Sequence, residues 1–353
     1  MNLFIDKAKN HLAQNLPFVL YCKPNSDTII GVFQQNDTLF SVTDFTEKGF
    51  VFASFDGSKT FLIPENESEI MNTVFQKKEI SISAKELITP NEIAQKQFEN
   101  LVKKGIQAIE NHEFKKVVLS RKETLDLVNF DLITAFERVV QLYPTTFVYC
   151  FYHPKVGIWL GATPEQLVKA NESEFKTIAL AGTQKDTGSN EVVWAKKEQE
   201  EQQFVTDYIV EKLKNVASEL VISKPYSLKA GSIWHIKTDI SGTLNSSSSL
   251  QQVIQLLHPT PAVCGFPKDK SKAFILENEN YDRTFYTGFL GELNIEDKTD
   301  LFVNLRCMEI EFASNLAMKQ AHLFMGCGIT KDSIPEKEWE ESKNKSATMK
   351  KIL

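Results

Sequence analysis

The tightest constraint on the fold is the spacing of short apolar runs. Residues 18–22, 28–33, 39–42, 50–55 and 61–63 are such runs, separated by Asn, Asp, Gly and Lys. Runs this short, bounded by turn residues, predict strands rather than helices. Strand runs recur at 147–152, 157–160, 175–180, 219–223, 233–240, 285–293, 301–310 and 321–325. Helical periods fall between them, at 90–112, 131–142, 191–215, 250–257 and 335–353. No internal repeat appears, and no long linker divides the chain; the serines at 246–249 read as a loop. The pattern predicts one large α+β domain with much antiparallel sheet, its first 85 residues forming a strand-rich subdomain.

Composition narrows the function. A net charge of −6 with no basic block argues against nucleic acid as the main partner. No apolar run approaches a membrane span, and the N-terminus lacks the apolar stretch of a signal peptide. The five cysteines (Cys22, Cys150, Cys264, Cys307 and Cys327) are odd in number and form no C-x-x-C. They read as free thiols in a reducing cytoplasm. The six histidines show no zinc-binding spacing.

Several segments could carry chemistry. Lys116 opens the run Lys-Val-Val-Leu-Ser-Arg. It either marks the exposed start of a strand or faces inward, where it must lose its proton or find a partner. Glu165, in Gly-Ala-Thr-Pro-Glu after a strand, is either an acid catalyst held at a strand end or the cap of a following helix. Glu198, Glu200 and Glu201 lie on one predicted helix, and Glu338, Glu341 and Lys345 share a face of another. Both sets suit a solvated helix face; two carboxylates from two helices also suit Mg²⁺. Gly326-Cys327-Gly328 would let backbone N–H groups approach an anion. Arg306, read inside an apolar strand, needs an anionic partner, either a structural carboxylate or a substrate. His235 is either a site residue or a hydrogen-bonded core histidine.

Taken together these segments resemble the chorismate-utilising enzymes, most closely the isochorismate synthases of menaquinone or siderophore pathways. The matching blocks are KVVLSR, GATPE, LAGT, the acidic helix at Glu201, HPTPAVCGFP, NLRC, GCGI and EWEESKNK. They run in family order from about residue 85 to the C-terminus, so that 86–353 corresponds to the chorismate-binding catalytic region. The resemblance implies a single domain with a central sandwich of mostly antiparallel sheets flanked by helices.

It also implies roles. Lys116 matches the base that activates water, and Glu165 the acid that protonates the departing hydroxyl. Glu201 and Glu341 match Mg²⁺ ligands, and Glu338 an acidic position near the metal. Arg306 and Lys345 match groups that hold substrate carboxylates; Gly182, Thr183, Ala262 and Gly326 match pocket-lining positions. The implied reaction converts chorismate to isochorismate with Mg²⁺ as cofactor. The base role requires an unprotonated Lys116 near neutral pH. If the register slips by one residue, Glu200 replaces Glu201, about 100° away around the helix. Lys337 and Lys343 stand where the family often has glycine.

Lys116 also separates the relatives. Anthranilate synthases lack this lysine and take ammonia from a glutaminase partner. Aminodeoxychorismate synthases carry a nucleophilic lysine in the segment matching 258–267, which has none at that place here. No glutaminase subunit is therefore expected, and a monomer or weak homodimer is. Salicylate synthases, which form isochorismate and then eliminate pyruvate, share the lysine and are the alternative. A catalytically silent chorismate-binding protein is the remote one; it predicts the loss of a catalytic position, and none is lost.

Overall fold

The computed structural model describes residues 2–76, 91–185, 192–230, 233–312 and 318–353. Its frame is two facing antiparallel sheets. Among the described residues the first has nine strands, in the order Gly265–Phe266, Lys116–Asp126, Met318–Ile329, Cys307–Phe312, Gly157–Thr163, Phe147–His153, Phe18–Cys22, Thr28–Gln34 and Ser68–Val74. The second runs Ala217–Ile222, Ile233–Leu244, Glu174–Lys185, Gln166–Asn171, Lys298–Val303, Phe289–Ile295, Gly49–Ala53, Thr60–Pro64 and Phe40–Ser41; Tyr226–Ala230 also pairs with Ile233–Leu244.

Both faces of most strands are covered, which is why they read as unbroken apolar runs. In Phe18–Cys22, Val19 and Tyr21 point between the sheets, while Phe18, Leu20 and Cys22 point to the outer layer. The inter-sheet core is aromatic. Phe52 stacks on Phe151 and Phe285 with centroids 4.4 Å apart in each pair, and Phe147 stacks on Phe302 at the same distance. Helices Asn2–Ala13 and Leu132–Leu142 cover the first sheet, and Lys196–Leu213 and Leu250–Leu257 the second. Helices Glu92–Glu110 and Pro335–Lys350 pack on each other, the first also on the Lys116 strand and the second on its neighbour Met318–Ile329. Helix starts follow local chemistry: Asp131 accepts from Thr134 N–H, and Ser249 and Gln252 form a capping box.

The expected sandwich flanked by helices is therefore the observed architecture. Some elements differ. Asn2–Ala13 is a helix inside the strand-rich stretch, and Lys268–Asn278 is a helix in a segment given no element. The strands of the first 76 residues enter both sheets. The run at 301–310 is two strands, Lys298–Val303 and Cys307–Phe312, lying in different sheets.

That break belongs to a paired crossover. Strand Gly157–Thr163 leaves the first sheet and enters the second as Gln166–Asn171; its neighbour Lys298–Val303 makes the reverse passage to Cys307–Phe312. The two passages are tied by Val303 N to Glu165 O (2.9 Å), Ala162 N to Arg306 O (3.1 Å) and Thr163 Oγ1 to Val303 O (2.5 Å).

The Lys116 strand lies next to the edge of its sheet. Among the described residues its outer neighbour is only Gly265–Phe266. Beyond that, a buried ion pair substitutes for a strand. Glu279 accepts from Ser120 N–H (2.7 Å) and Arg283 donates to Val118 O (2.7 Å), while Arg283 and Glu279 pair at 2.6 Å. Breaking a buried pair leaves an uncompensated charge. Arg283→Met should therefore lower the unfolding free energy by about 3–5 kcal/mol in urea titrations.

Candidate functional site

The twin crossover supplies two of the predicted residues. Glu165 lies in one passage and Arg306 in the other. A strand, Gln166–Asn171, follows Glu165, so it caps no helix. Arg306 is not inside a strand: it sits in the turn between sheets with φ +46°. Such a residue is uncommon at positive φ, and the turn lets the chain change sheets. Among the described residues Arg306 forms no ion pair, so its guanidinium remains available to an anion.

Glu165 is 9% exposed. Burial pushes its carboxyl up to about 7, against the pull of the Thr260 hydroxyl and the Lys116 and Lys345 charges. Thr260 Oγ1 donates to Glu165 Oε1 at 3.3 Å. Thr260 comes from the 258–267 segment, whose turn also holds Ala262, half-buried.

Lys116 is both of the things its position allowed. It begins its strand, yet it is mostly buried and has a partner: Nζ donates to Glu201 Oε1 at 2.6 Å. Gly328 makes room for it, since a Cβ there would lie 3.2 Å from Lys116 Cε. Gly326, Cys327 and Gly328 pair in register with Ser120, Leu119 and Val118. These glycines lie within a regular ladder rather than in an anion-binding turn. Gly326 contributes through its carbonyl, which accepts from Lys345 Nζ at 2.8 Å.

Glu201 faces Lys116, whereas Glu200 is exposed and paired with Lys196 at 3.4 Å. Glu198, three residues before Glu201 on the same helix, is a further candidate to which the family resemblance gave no role. Its Oε2 is buried and has no hydrogen-bond partner among the described residues. The acidic helix comes close because of Gly182, at a bulge with φ +72°, where a Cβ would lie 3.2 Å from Glu198 Cβ. Thr183 pairs with His235 through its backbone; its side chain lies outside the described residues.

His235 Nδ1 lies 3.2 Å from Gly182 O. A carbonyl only accepts, so Nδ1 carries the proton and Nε2 is an acceptor. Burial lowers the His235 pKa, and the charges of Arg306 and Lys345 lower it further, against the opposing pull of the Gly182 carbonyl.

On the C-terminal helix, Lys345 Nζ bridges Glu341 Oε1 (2.7 Å) and Gly326 O (2.8 Å). Ligand atoms of Glu338, Glu341 and Cys327 lie within 4.8 Å of one another. Lys337 and Lys343 are exposed, and Lys343 pairs with Glu340. Carboxylate oxygens from two helices, one of them buried and unpartnered, fit a hard divalent cation. Lysines and an arginine around a neutral acid fit a small dianion.

Carboxylates from two helices and cationic side chains around a buried acid define the candidate site. The chain belongs to the chorismate binding enzyme family, whose sequence profile matches residues 54–353. It is 32% identical over 270 residues to isochorismate synthase EntC of Escherichia coli; the aligned part is 72% of this chain and 66% of that protein. The match thus spans a little under two thirds of that relative. Its fold is similar to that of MenF, the menaquinone-specific isochorismate synthase of Escherichia coli: TM-score 0.79, 21% identity, 96% of this chain and 88% of that one. It is also similar to anthranilate synthase component I of Streptococcus pneumoniae: TM-score 0.68, 18% identity, 94% and 92% covered.

The raised Glu165 pKa has a consequence for stability. Between 4.5 and about 7 the folded chain keeps a proton that the unfolded chain has released. Stability therefore falls as pH rises through that window. Glu165→Gln has no such proton to lose. Urea titrations across the window should show the wild type losing on the order of 3 kcal/mol more than the variant.

Proposed function

We propose that this chain is an isochorismate synthase, converting chorismate to isochorismate with Mg²⁺. The observation that carries the reading is a buried carboxyl, Glu165, that stays protonated up to about pH 7 within the field of a site lysine, Lys116. The fold alone does not choose, because it is shared with an anthranilate synthase component. The family relatives named as isochorismate synthases favour the same choice.

The reaction adds water at ring carbon 2, shifts both ring double bonds by one position (C1=C2 to C1=C6 and C5=C6 to C4=C5) and expels the hydroxyl from carbon 4. Water is a poor nucleophile and hydroxide a poor leaving group, so a base and an acid are both needed. Lys116 takes the proton from water as the new C–O bond forms. Glu165 gives its proton to the departing oxygen, which leaves as water. Arg306 and Lys345 hold the substrate carboxylates, and His235 offers Nε2 as an acceptor. Gly182, Thr183, Ala262 and Gly326 line the pocket. Glu201 and Glu341, with Glu198 and Glu338 beside them, would hold Mg²⁺; when bound it stabilises negative charge developing near the ring carboxylate. To act as that base, Lys116 Nζ must be without its proton and free of the bond it makes to Glu201 Oε1.

The described cysteines are all unpaired and buried, which favours the cytoplasm. No helix of the described residues is long and apolar enough to cross a membrane. We expect catalysis without a glutaminase subunit, by a monomer or weak homodimer, feeding menaquinone or siderophore synthesis.

Incubation with chorismate and Mg²⁺ should give isochorismate without pyruvate, read by chromatography and a pyruvate-coupled assay. Salicylate with pyruvate would mean a salicylate synthase instead. Binding without turnover would mean a silent chorismate-binding protein. Lys116→Ala should lower kcat at least about 10²-fold with the fold intact by circular dichroism; full activity in that variant would remove the assigned base.

A further inference from the structure

Lys116, Val118 and Ser120 lie on one face of their strand, and Val117, Leu119 and Arg121 on the other. The second face meets the layer of helices Glu92–Glu110 and Pro335–Lys350. Arg121 is 8% exposed. Its Nε donates to Ser342 Oγ at 2.7 Å, and its guanidinium carbon sits 4.4 Å from the Trp339 ring centroid. Nη1 reaches Glu123 Oε2 at 3.1 Å, and the other oxygen of Glu123 takes Lys350 Nζ at 2.5 Å. Trp339, Ser342 and Lys350 all belong to the C-terminal helix.

The anchored residues alternate with the carboxylates. Trp339 follows Glu338, and Ser342 follows Glu341. On a helix, successive residues are about 100° apart, so fixing one face fixes the direction of the other. We propose that Arg121 is a positioning residue for the divalent cation. It sets the rotation and height of the C-terminal helix so that Glu338 and Glu341 meet the carboxylates of the acidic helix. This rests on the reading of the site as Mg²⁺-binding.

Packing alone does not explain the choice of arginine. Arg121 Nη2 is buried without a hydrogen-bond partner among the described residues, a costly state for a charged group. An apolar side chain would fill the space under Trp339 at lower cost. What a guanidinium adds is a flat face for the ring together with a directed donor for Ser342. Those two contacts, one turn of helix apart, resist both rolling and sliding. The same strand carries Lys116, so base and metal carboxylates are referred to one rigid element. Mg²⁺ tolerates little error in ligand placement, which makes its affinity a sensitive gauge of helix position.

The test is calorimetric titration of the full chain with Mg²⁺, without chorismate, alongside turnover measured across Mg²⁺ concentrations. Arg121→Met should raise the Mg²⁺ Kd about 10–100-fold, with kcat largely recovered at saturating Mg²⁺. Arg121→Lys should fall between wild type and Arg121→Met. If Arg121→Met does not fold, Ser342→Ala decides, with a smaller loss of the same sign expected. Unchanged Mg²⁺ affinity in folded Arg121→Met, or in Ser342→Ala where that variant decides, overturns the role of Arg121 while leaving the proposed function standing. A wild-type chain that neither binds Mg²⁺ alone nor depends on it for turnover would sink both.

Discussion

Two neighbouring strands exchange sheets side by side, and their backbone bonds hold the passages together. Glu165 O accepts from Val303 N, and Arg306 O accepts from Ala162 N, so the acid and the arginine are fixed by the hydrogen bonds that close the crossover. A residue in a sheet face would be buried among aromatic rings; a residue in an outer loop would be wetted. The crossover is neither. It buries Glu165 enough to keep it protonated, while Arg306 remains without a carboxylate among the described residues. Asn304, fully buried in the same passage, accepts from Tyr149 Oη at 2.6 Å and donates to Phe285 O at 2.9 Å. These bonds leave the passage little freedom to shift.

Glycine decides how closely the other elements approach. Gly328 gives Lys116 its channel, and Gly182 admits the acidic helix. Both act through the absence of a side chain, at places where a Cβ would meet the element bearing a site group. Neither needs to touch a substrate to matter.

The strands were legible because short runs bounded by turn residues survive any tertiary context. Phe18–Cys22 and the hairpin at Phe147–His153 and Gly157–Thr163 are clear cases. The helix Asn2–Ala13 was less legible: Phe4, Ala8 and Leu12 recur every four residues, but polar residues interrupt them and their packing partners are remote in sequence. The strand read at 301–310 failed for another reason: local apolarity cannot reveal that Asn304-Leu305-Arg306 changes sheets. The site was legible through ordered blocks, each ambiguous by itself. Glu198 could not be singled out from Glu200 and Glu201, because one charged residue among several in Lys-Lys-Glu-Gln-Glu-Glu does not announce its direction. Its spacing of three from Glu201 was the available signal. Lys116 shows the limit of pattern alone, since strand start and inward-facing partner both hold.

The charges of the site have a further regularity. Lys116 pairs with Glu201, and Lys345 pairs with Glu341. Each of these glutamates is a proposed metal ligand, and each lysine a proposed partner of water or substrate. Entry of a divalent cation with a dianion adds no net charge. The lysines pass from protein carboxylates to substrate, and the carboxylates pass from lysines to the cation. Such an exchange replaces ion pairs with other ion pairs, so no charge is left uncompensated. A dianion arriving alone would leave Glu201 and Glu341 facing its carboxylates, and a cation arriving alone would sit beside displaced ammonium groups. The electrostatics therefore favour joint occupancy, with substrate and cation each raising the affinity for the other.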